Sequence, residues 1–273
     1  MKKQPFVSVI MPNYNMALYL PEAINSILKQ TYKNFEFIIV DDCSTDDSWK
    51  IIKSFKDKRI KAFQNSENLK NNRTRNKGFE KISKNSEYIA IMDSDDVSLP
   101  DRLKREVEFL EKYQDYGAVS SNLLIINEES EVYSRREYKL SWNKIRKTMI
   151  RSNEIAHPAA MVRTSVMKDL GGYDEHYTRC PDYDLWMRLI LKFKIKNLRK
   201  PVLKYRISEI QGLNRSFNKS MKFFFEIRFK NIFKKEFFSV YNLCHLLASS
   251  VVFILPKRLV LWLVKKVSFK KES

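Results

Sequence analysis

Glycine is scarce in this chain, with five residues in 273. A glycine-rich loop whose backbone N–H groups cradle a phosphate is therefore not available. Neither GxGxxG nor GxxxxGK[ST] occurs, which disfavours a dinucleotide oxidoreductase and a P-loop NTPase. Any phosphate would have to be held by a metal and by arginine. Cysteine is scarce as well. Cys43, Cys180 and Cys244 are odd in number, far apart and form no CxxC pair. Neither a disulfide framework nor a thiolate metal site is supported, which fits a reducing compartment. Long hydrophobic runs are also missing. Met1 to Pro5 leads straight into a strand-like segment with no signal-peptide run, so the expected location is the cytoplasm. Near the C-terminus, Leu243–Leu255 and Leu259–Val264 are apolar, but Pro256-Lys257-Arg258 interrupts them. A spanning helix needs ~20 apolar residues, so none is expected.

Acidic residues are lacking from one region only. From Lys192 onward there are 20 Lys/Arg and 4 Asp/Glu, a balance of +16 out of a net +19. The first two thirds have the near-neutral charge of an ordinary soluble enzyme, and the last third reads as a surface for something anionic. Hydrophobic residues make up 44% of the chain, enough to build a full core. The length suits one large domain, or one domain with an appendage.

The N-terminal half alternates strand and helix signals. Val7–Met11 is a short apolar run ending at Pro12-Asn13, as a buried parallel strand would. Leu20, Ile24, Ile27 and Leu28 share a helical face. Phe35–Val40 predicts a second strand, ending at Asp41-Asp42. Ser44 with Asp47 reads as a capping box for a helix that buries Ile51, Ile52 and Phe55. Ile60–Phe63 is a weaker strand, Arg73–Ile82 a helix and Tyr88–Met92 a fourth strand ending at Asp93. Ser98 with Asp101 would cap a helix with Leu103, Val107 and Leu110 inside, and Gly117–Ile126 reads as a fifth strand. Ser130–Asn153 is polar and less regular. This alternation predicts a mostly parallel sheet, whose ligands bind beyond the carboxyl ends of the strands. Both acidic clusters fall there.

Asp93-Ser94-Asp95-Asp96 is the sharpest signal. Alternate carboxylates at a strand end suit a hard divalent cation, which can bridge the phosphates of a nucleoside diphosphate. The plain alternative is an acidic turn that caps the next helix. Asp41-Asp42 offers acceptors for a base N–H or ribose hydroxyls, or caps a helix. Arg73 and Arg75 meet phosphate or base, or are simply solvated. Asp182 and Asp184 precede an amphipathic run: either a general base for a hydroxyl proton or acids suited to a helix N-terminus. His157 and His245 read as structural, whereas His176 lies close in sequence to Asp182.

Taken together, these segments resemble the family 2 glycosyltransferases, which have the GT-A fold. The landmarks run in order from about Val7 to Tyr205: VSVIMPNYN at 7–15, ILKQTYKNFEFIIVDDCSTDDS at 27–48, RTRNKGF at 73–79, YIAIMDSDD at 88–96, LPDRL at 99–103, HPAAMVR at 157–163, LGGYDE at 170–175 and PDYDLWMRL at 181–189. The resemblance implies an α/β, Rossmann-like, mostly parallel sheet flanked by helices. It implies a catalytic domain over 1–206 and a basic helical C-terminal region over 207–273. Asp42 would contact the nucleotide base, with Pro12 and Asn13 beside it and Arg75 near the nucleotide. Asp95 would be the main ligand of a Mg²⁺ or Mn²⁺ ion, with Asp93 as the other half of the pair, near the ribose. Asp182 matches the catalytic base of an inverting transfer from a nucleotide-diphosphate sugar. The family usually has Glu-Asp there, where this chain has Pro181-Asp182. No QxxRW motif is present, so single-sugar addition is expected rather than polymerisation, in a bacterial surface polysaccharide pathway with a lipid-linked acceptor.

In the tail, Leu243, Leu246, Leu247, Val251 and Ile254 share one helical face. With their basic flanks they read as a helix lying on an anionic membrane, placing the enzyme on the inner face of the cell membrane. The alternative is that these helices pack on the catalytic domain or on a second subunit. A basic nucleic-acid-binding protein is the competing class, disfavoured because the charge is mixed with apolar runs and no nucleic-acid motif appears. A non-catalytic scaffold is disfavoured by Asp42, Asp93, Asp95 and Asp182.

Overall fold

The computed structural model describes residues 4–208 and 217–250. Four parallel strands form one half of the sheet: β1 (Val7–Asn13), β2 (Phe35–Asp41), β3 (Ile60–Gln64) and β4 (Tyr88–Ile91), in the order β3-β2-β1-β4. The connections are α1 (Leu20–Leu28), α2 (Ser48–Ser54) and α3 (Asn71–Glu80). Successive side chains of a strand face opposite ways, and here both faces are covered. Val7, Val9 and Met11 of β1 enter one apolar core with Leu20 and Ile24 of α1, while Ile10 enters the other with Ile89 and Ile91 of β4. That is why these strands read as continuous apolar runs.

Past β4 the sheet is mixed. β5 (Val97–Ser98) and α4 (Arg102–Lys112) lead to β6 (Tyr116–Ile126), β7 (Val132–Arg136) and α5 (Trp142–Met149). A 3-10 turn at His157–Ala159 then precedes β8 (Met161–Arg163), α6 (Thr164–Asp169), α7 (Pro181–Lys192) and β9 (Lys194–Arg206). β8 joins β4 and β6 antiparallel, β9 lies parallel to β6, and β5 and β7 add antiparallel edges. The architecture is thus α/β, a mixed sheet flanked by helices. The segment expected to be irregular, 130–153, holds β7 and α5.

Both expected capping boxes are replaced. The N–H of Ser48 at the start of α2 is taken by Asp46 Oδ1 at 2.9 Å, because Ser44 is engaged with Asp41. At α4, the Leu103 N–H goes to Gln30 Oε1 at 3.0 Å, a cap brought by the fold from far along the chain.

After β9 come α8 (Phe217–Ile232) and α9 (Val240–Ser250). Phe223, Ile227, Ile232, Phe237 and Leu246 are buried in the same core as Tyr183 and Trp186 of α7. The inner side of this pair therefore packs on the rest of the protein. Phe229, Phe233, Phe238 and Tyr241 are exposed. Of the expected interfacial stripe, Leu246 is buried and Leu247 exposed, and Val251 and Ile254 lie outside the described residues. Among the described residues no helix is long and apolar enough to cross a membrane.

Candidate active site

The carboxyl ends of β1, β2 and β4 are neighbours, because β1 lies between the other two. Pro12-Asn13, Asp41-Asp42 and Asp93 are thereby gathered on one edge of the sheet. α3 lies tight against this floor. A Cβ added to Gly78 would come within 2.6 Å of Ile10 Cγ2, so only glycine lets the helix approach so closely. Arg75, three residues earlier in α3, is buried and forms an ion pair with Asp93 at 2.5 Å. Arg73 points elsewhere: it is exposed and pairs with Glu175 at 2.8 Å.

The Asp41 carboxylate is fully buried and accepts from Asn13 Nδ2, from the N–H and hydroxyl of Ser44, and from Gln64 Nε2. Asp42 accepts Asn65 Nδ2 and Leu69 N–H on Oδ1, at 2.8 Å each, and Lys70 N–H on Oδ2 at 2.9 Å. A carboxylate offers about four acceptor positions, so Asp42 has one position left. Its main work in the fold is to hold the 65–70 loop.

Asp182 comes from the other side. Cys180 adopts a left-handed conformation (φ 56°), and Pro181 then opens α7 with its preset φ. This turn brings the Asp182 carboxylate into a cleft of about 260 Å³ that Arg75, Asp93, Arg136, Tyr138, Asn153 and His157 also line. Asn153 Nδ2 donates to Asp182 Oδ2 at 3.0 Å. Burial pushes the Asp182 carboxyl above the usual aspartate range, opposed by the Tyr183 N–H and the charge on Arg75. Asp184, by contrast, is bound to Arg188 at 2.7 Å inside the protein. His157 is buried beneath the cleft, 3.2 Å from the Tyr173 hydroxyl, and burial together with Arg75 keeps its imidazole neutral. His176 is exposed and bonds Glu226 on α8.

The structure thus brings Arg75, Asp93 and Asp182 to one cleft, while Pro12, Asn13, Asp42 and Asp95 lie outside its lining. Asn153, Arg136 and Tyr138 were not foreseen, since the polar segment that carries them shows no periodicity. Arg206 was missed as well. Its guanidinium is wholly buried and donates to the carbonyls of Asp95 at 2.8 Å, Asn127 at 2.8 Å and Glu128 at 2.9 Å, and to Glu22 at 2.7 Å. It clamps the acidic turn from behind.

A divalent cation fits this turn in a limited sense. Among the described residues Asp96 Oδ2 is buried without a hydrogen-bond partner, and burial plus the charges of Asp95 and Asp93 push its carboxyl well up. Excess negative charge of this kind favours a cation nearby. Yet among the described residues no group of three or more His, Cys, Asp or Glu is placed to hold one. The donor set suits an ion carried by one or two carboxylates together with substrate phosphates, as Mg²⁺ often is.

Residues 8–221 match the model of glycosyl transferase family 2. An uncharacterized glycosyltransferase of Methanocaldococcus jannaschii is 37% identical over 210 residues, 75% of this chain and 71% of its own length. The putative glycosyltransferase EpsE of Bacillus subtilis is 35% identical, covering 81% and 80%. The O-antigen biosynthesis glycosyltransferase WbnJ of Escherichia coli is 33% identical, covering 81% and 85%. Among solved structures, S. aureus TarS 1–349 in complex with UDP-GlcNAc superposes with a TM-score of 0.66 at 24% identity, over 90% of this chain and 73% of that one. The mannosyltransferase PcManGT of Pyrobaculum calidifontis, in complex with GDP-Man and Mn²⁺, gives 0.65 at 17% identity over 98% and 82%. These likenesses in structure establish the GT-A fold. The match to the family model covers most of the chain, and the chain belongs to glycosyl transferase family 2.

Proposed function

We propose that this glycosyltransferase moves a single sugar from a nucleoside-diphosphate sugar to an acceptor hydroxyl, inverting the anomeric carbon, with Asp182 as the general base. The observation that carries this reading is the cleft itself: Asp182 on α7 faces the Arg75–Asp93 pair at the end of β4. UDP-GlcNAc and GDP-Man in the complexes of TarS and PcManGT favour a nucleotide-sugar donor of that general kind. Pro12, Asn13 and Asp42 would flank the base, with the open position on Asp42 Oδ2 free for a base N–H. Arg75 and Asp93 would lie toward the ribose and diphosphate, and Asp95 with Asp93 would hold a Mg²⁺ or Mn²⁺ ion. Such an ion, when bound, supplies charge neutralisation at the diphosphate.

In the transfer, Asp182 accepts the proton of the acceptor hydroxyl. The acceptor oxygen forms its bond to the anomeric carbon from the face opposite the diphosphate. The bond from that carbon to the phosphate oxygen breaks, and its electron pair leaves with the diphosphate. The buried setting of Asp182 makes it a stronger base than a free aspartate, which suits this role. Asp182→Asn keeps the shape and removes the proton acceptor, so turnover should fall ~10²–10⁴-fold while nucleoside-diphosphate binding by calorimetry stays the same. Loss of binding along with turnover would make Asp182 a donor-site or structural residue.

The acceptor in this reading is a lipid-linked glycan of surface polysaccharide synthesis, the setting suggested by the O-antigen role in WbnJ's name. Residues 1–206 would be the catalytic domain and 207–273 a basic helical region that sits on the inner face of the cell membrane or joins two copies. Exposed Phe229, Phe233 and Phe238 amid exposed lysines favour the membrane. Co-sedimentation with anionic but not neutral vesicles at low salt is the expected result. Indifference to both would leave the helices as packing or dimer elements.

A further inference from the structure

We propose that Asn153 is the positioning residue of the base: its side-chain amide pins Oδ2 of Asp182 from outside the helix and fixes the aim of the carboxylate. The proposal rests on the reading of Asp182 as the base. Family resemblance leads to an acidic neighbour at position 181, and this chain has Pro181 there. Proline has neither a side-chain donor nor an N–H. Within α7 the carboxylate meets the Tyr183 N–H; the side-chain hydrogen bond that reaches it from outside the helix is that of Asn153, Nδ2 to Oδ2 at 3.0 Å.

The amide of Asn153 is itself fixed. Its Oδ1 accepts the Ile155 N–H at 3.1 Å, so turning the side chain over would set an N–H against an N–H. The segment that carries it is tied down on both sides. The Glu154 carbonyl accepts Asn197 Nδ2 of β9 at 2.7 Å, and the Ala156 carbonyl accepts the Ser120 hydroxyl of β6 at 2.9 Å. Ile155 and Ala156 are buried. A second tie links the same two elements: the Tyr183 hydroxyl of α7 donates to the Met149 carbonyl at the end of α5, 2.7 Å away. Asn153 is thus mounted on the sheet and registered to α7, and a base held this way stays in line with its target. Asn153 also lines the cleft beside Asp182.

Among the described residues, the charged and titratable groups that share the cleft with Asp182 or act on it are Arg75 of α3, Asp93 after β4, Arg136 of β7, Tyr138 after β7, His157 of the 3-10 turn, Tyr173 before α7, Cys180, and Tyr205 of β9. Asn153 adds a donor to this set without adding charge. A donor to the ionised form favours that form. Removing it should raise the pH at which Asp182 ionises and loosen the carboxylate's aim.

The test uses the full chain and follows release of nucleoside diphosphate from UDP-GlcNAc and GDP-Man, with water as acceptor, from pH 5 to 9. Asn153→Ala should lower kcat ~10–100-fold, leave KM for the donor within about twofold, and move the acid limb of kcat to higher pH. Asn153→Asp, isosteric but unable to donate when ionised, should move the limb further. Asn153→Gln, which keeps the amide, should recover part of the rate. Asp182→Asn is the control that separates the two ideas. If it turns over as fast as the parent, the base assignment falls and the positioning role with it. If Asp182→Asn is slow while folded Asn153→Ala and Asn153→Asp keep the parent rate and limb, the positioning role alone is overturned. A lower rate with no shift of the limb and no recovery by glutamine also overturns it, leaving Asn153 as loop packing.

Discussion

Two acidic clusters end the two parallel strands that flank β1, and they could hardly differ more in how their oxygens are used. At the end of β2, four donors converge on Asp41 and three on Asp42, all from the protein itself. At the end of β4, Asp93 is paired with Arg75, and Asp96 takes the Arg206 N–H on Oδ1 while its buried Oδ2 has no hydrogen-bond partner among the described residues. Position in the fold is the same; the supply of donors is not. A carboxylate already satisfied by its own chain is a structural device, and one left short attracts something from outside. The comparison divides the site into a built wall and a reactive edge.

The largest expected effect is on the reactive edge. Asp95→Ala should cut metal-dependent turnover ~10²–10³-fold, while the melting temperature stays near the parent's, because Asp95 is partly exposed at the strand end. Turnover that persists in the presence of Mg²⁺ or Mn²⁺ would remove Asp95 from the metal assignment. A collapse of the fold would instead place this cluster with the built wall.

On that wall, the same kind of change should act on stability. Asp41→Ala takes the acceptor from the Ser44 N–H and hydroxyl and from Asn13 Nδ2, which keeps only Ser44 Oγ, while the exposed Gln64 can turn to water. Each unsatisfied buried group costs ~1–3 kcal/mol, so with some relaxation the loss should be about 3 kcal/mol, read from denaturant unfolding. If Asp41→Ala unfolded like the parent yet lost activity, the two clusters would be alike and the contrast wrong.

The same contrast marks what a reader of the sequence alone can find. β1, β2 and β4 are buried on both faces and announce themselves as apolar runs; Asp93 and Asp182 stand in ordered motifs. What cannot be read is which donors reach which acceptor. Asn65, Leu69 and Lys70 lie more than twenty residues from Asp42, and Asn153 lies 29 residues from Asp182. β9 also hid itself. Its 13 residues alternate lysine with buried Ile195 and Asn197, so it reads as basic surface. Part of the positive charge after Lys192 thus belongs to the sheet: Lys194 pairs with Asp115 at 2.7 Å, and Arg206 is wholly buried against the acidic turn. Buried arginine cannot be told from solvated arginine by composition.

The smallest expected effect tests whether Asp42 holds its loop by force. Lys70 has φ 74° and ψ 165°, a region that is essentially reserved for glycine and costs other residues ~1–3 kcal/mol. Such a residue persists only where its surroundings over-determine it. Here Asp42 Oδ2 accepts the Lys70 N–H on one side, and the Lys70 carbonyl accepts the Thr74 N–H in the first turn of α3 at 3.0 Å on the other. Lys70→Gly removes the Cβ that causes the strain and leaves both hydrogen bonds in place. Glycine also gives the unfolded chain more freedom, which offsets ~0.4–1 kcal/mol of the relief. The net gain should be about 1 kcal/mol, a rise in melting temperature of roughly 2–4 °C for a chain of this size. The effect should vanish in an Asp42→Asn background, where the carboxylate that drives the loop into this conformation is gone and Lys70 is free to relax. A melting temperature that stayed level or fell in the parent background would mean that the loop is not strained, and that Asp42 accepts these hydrogen bonds without having to enforce them.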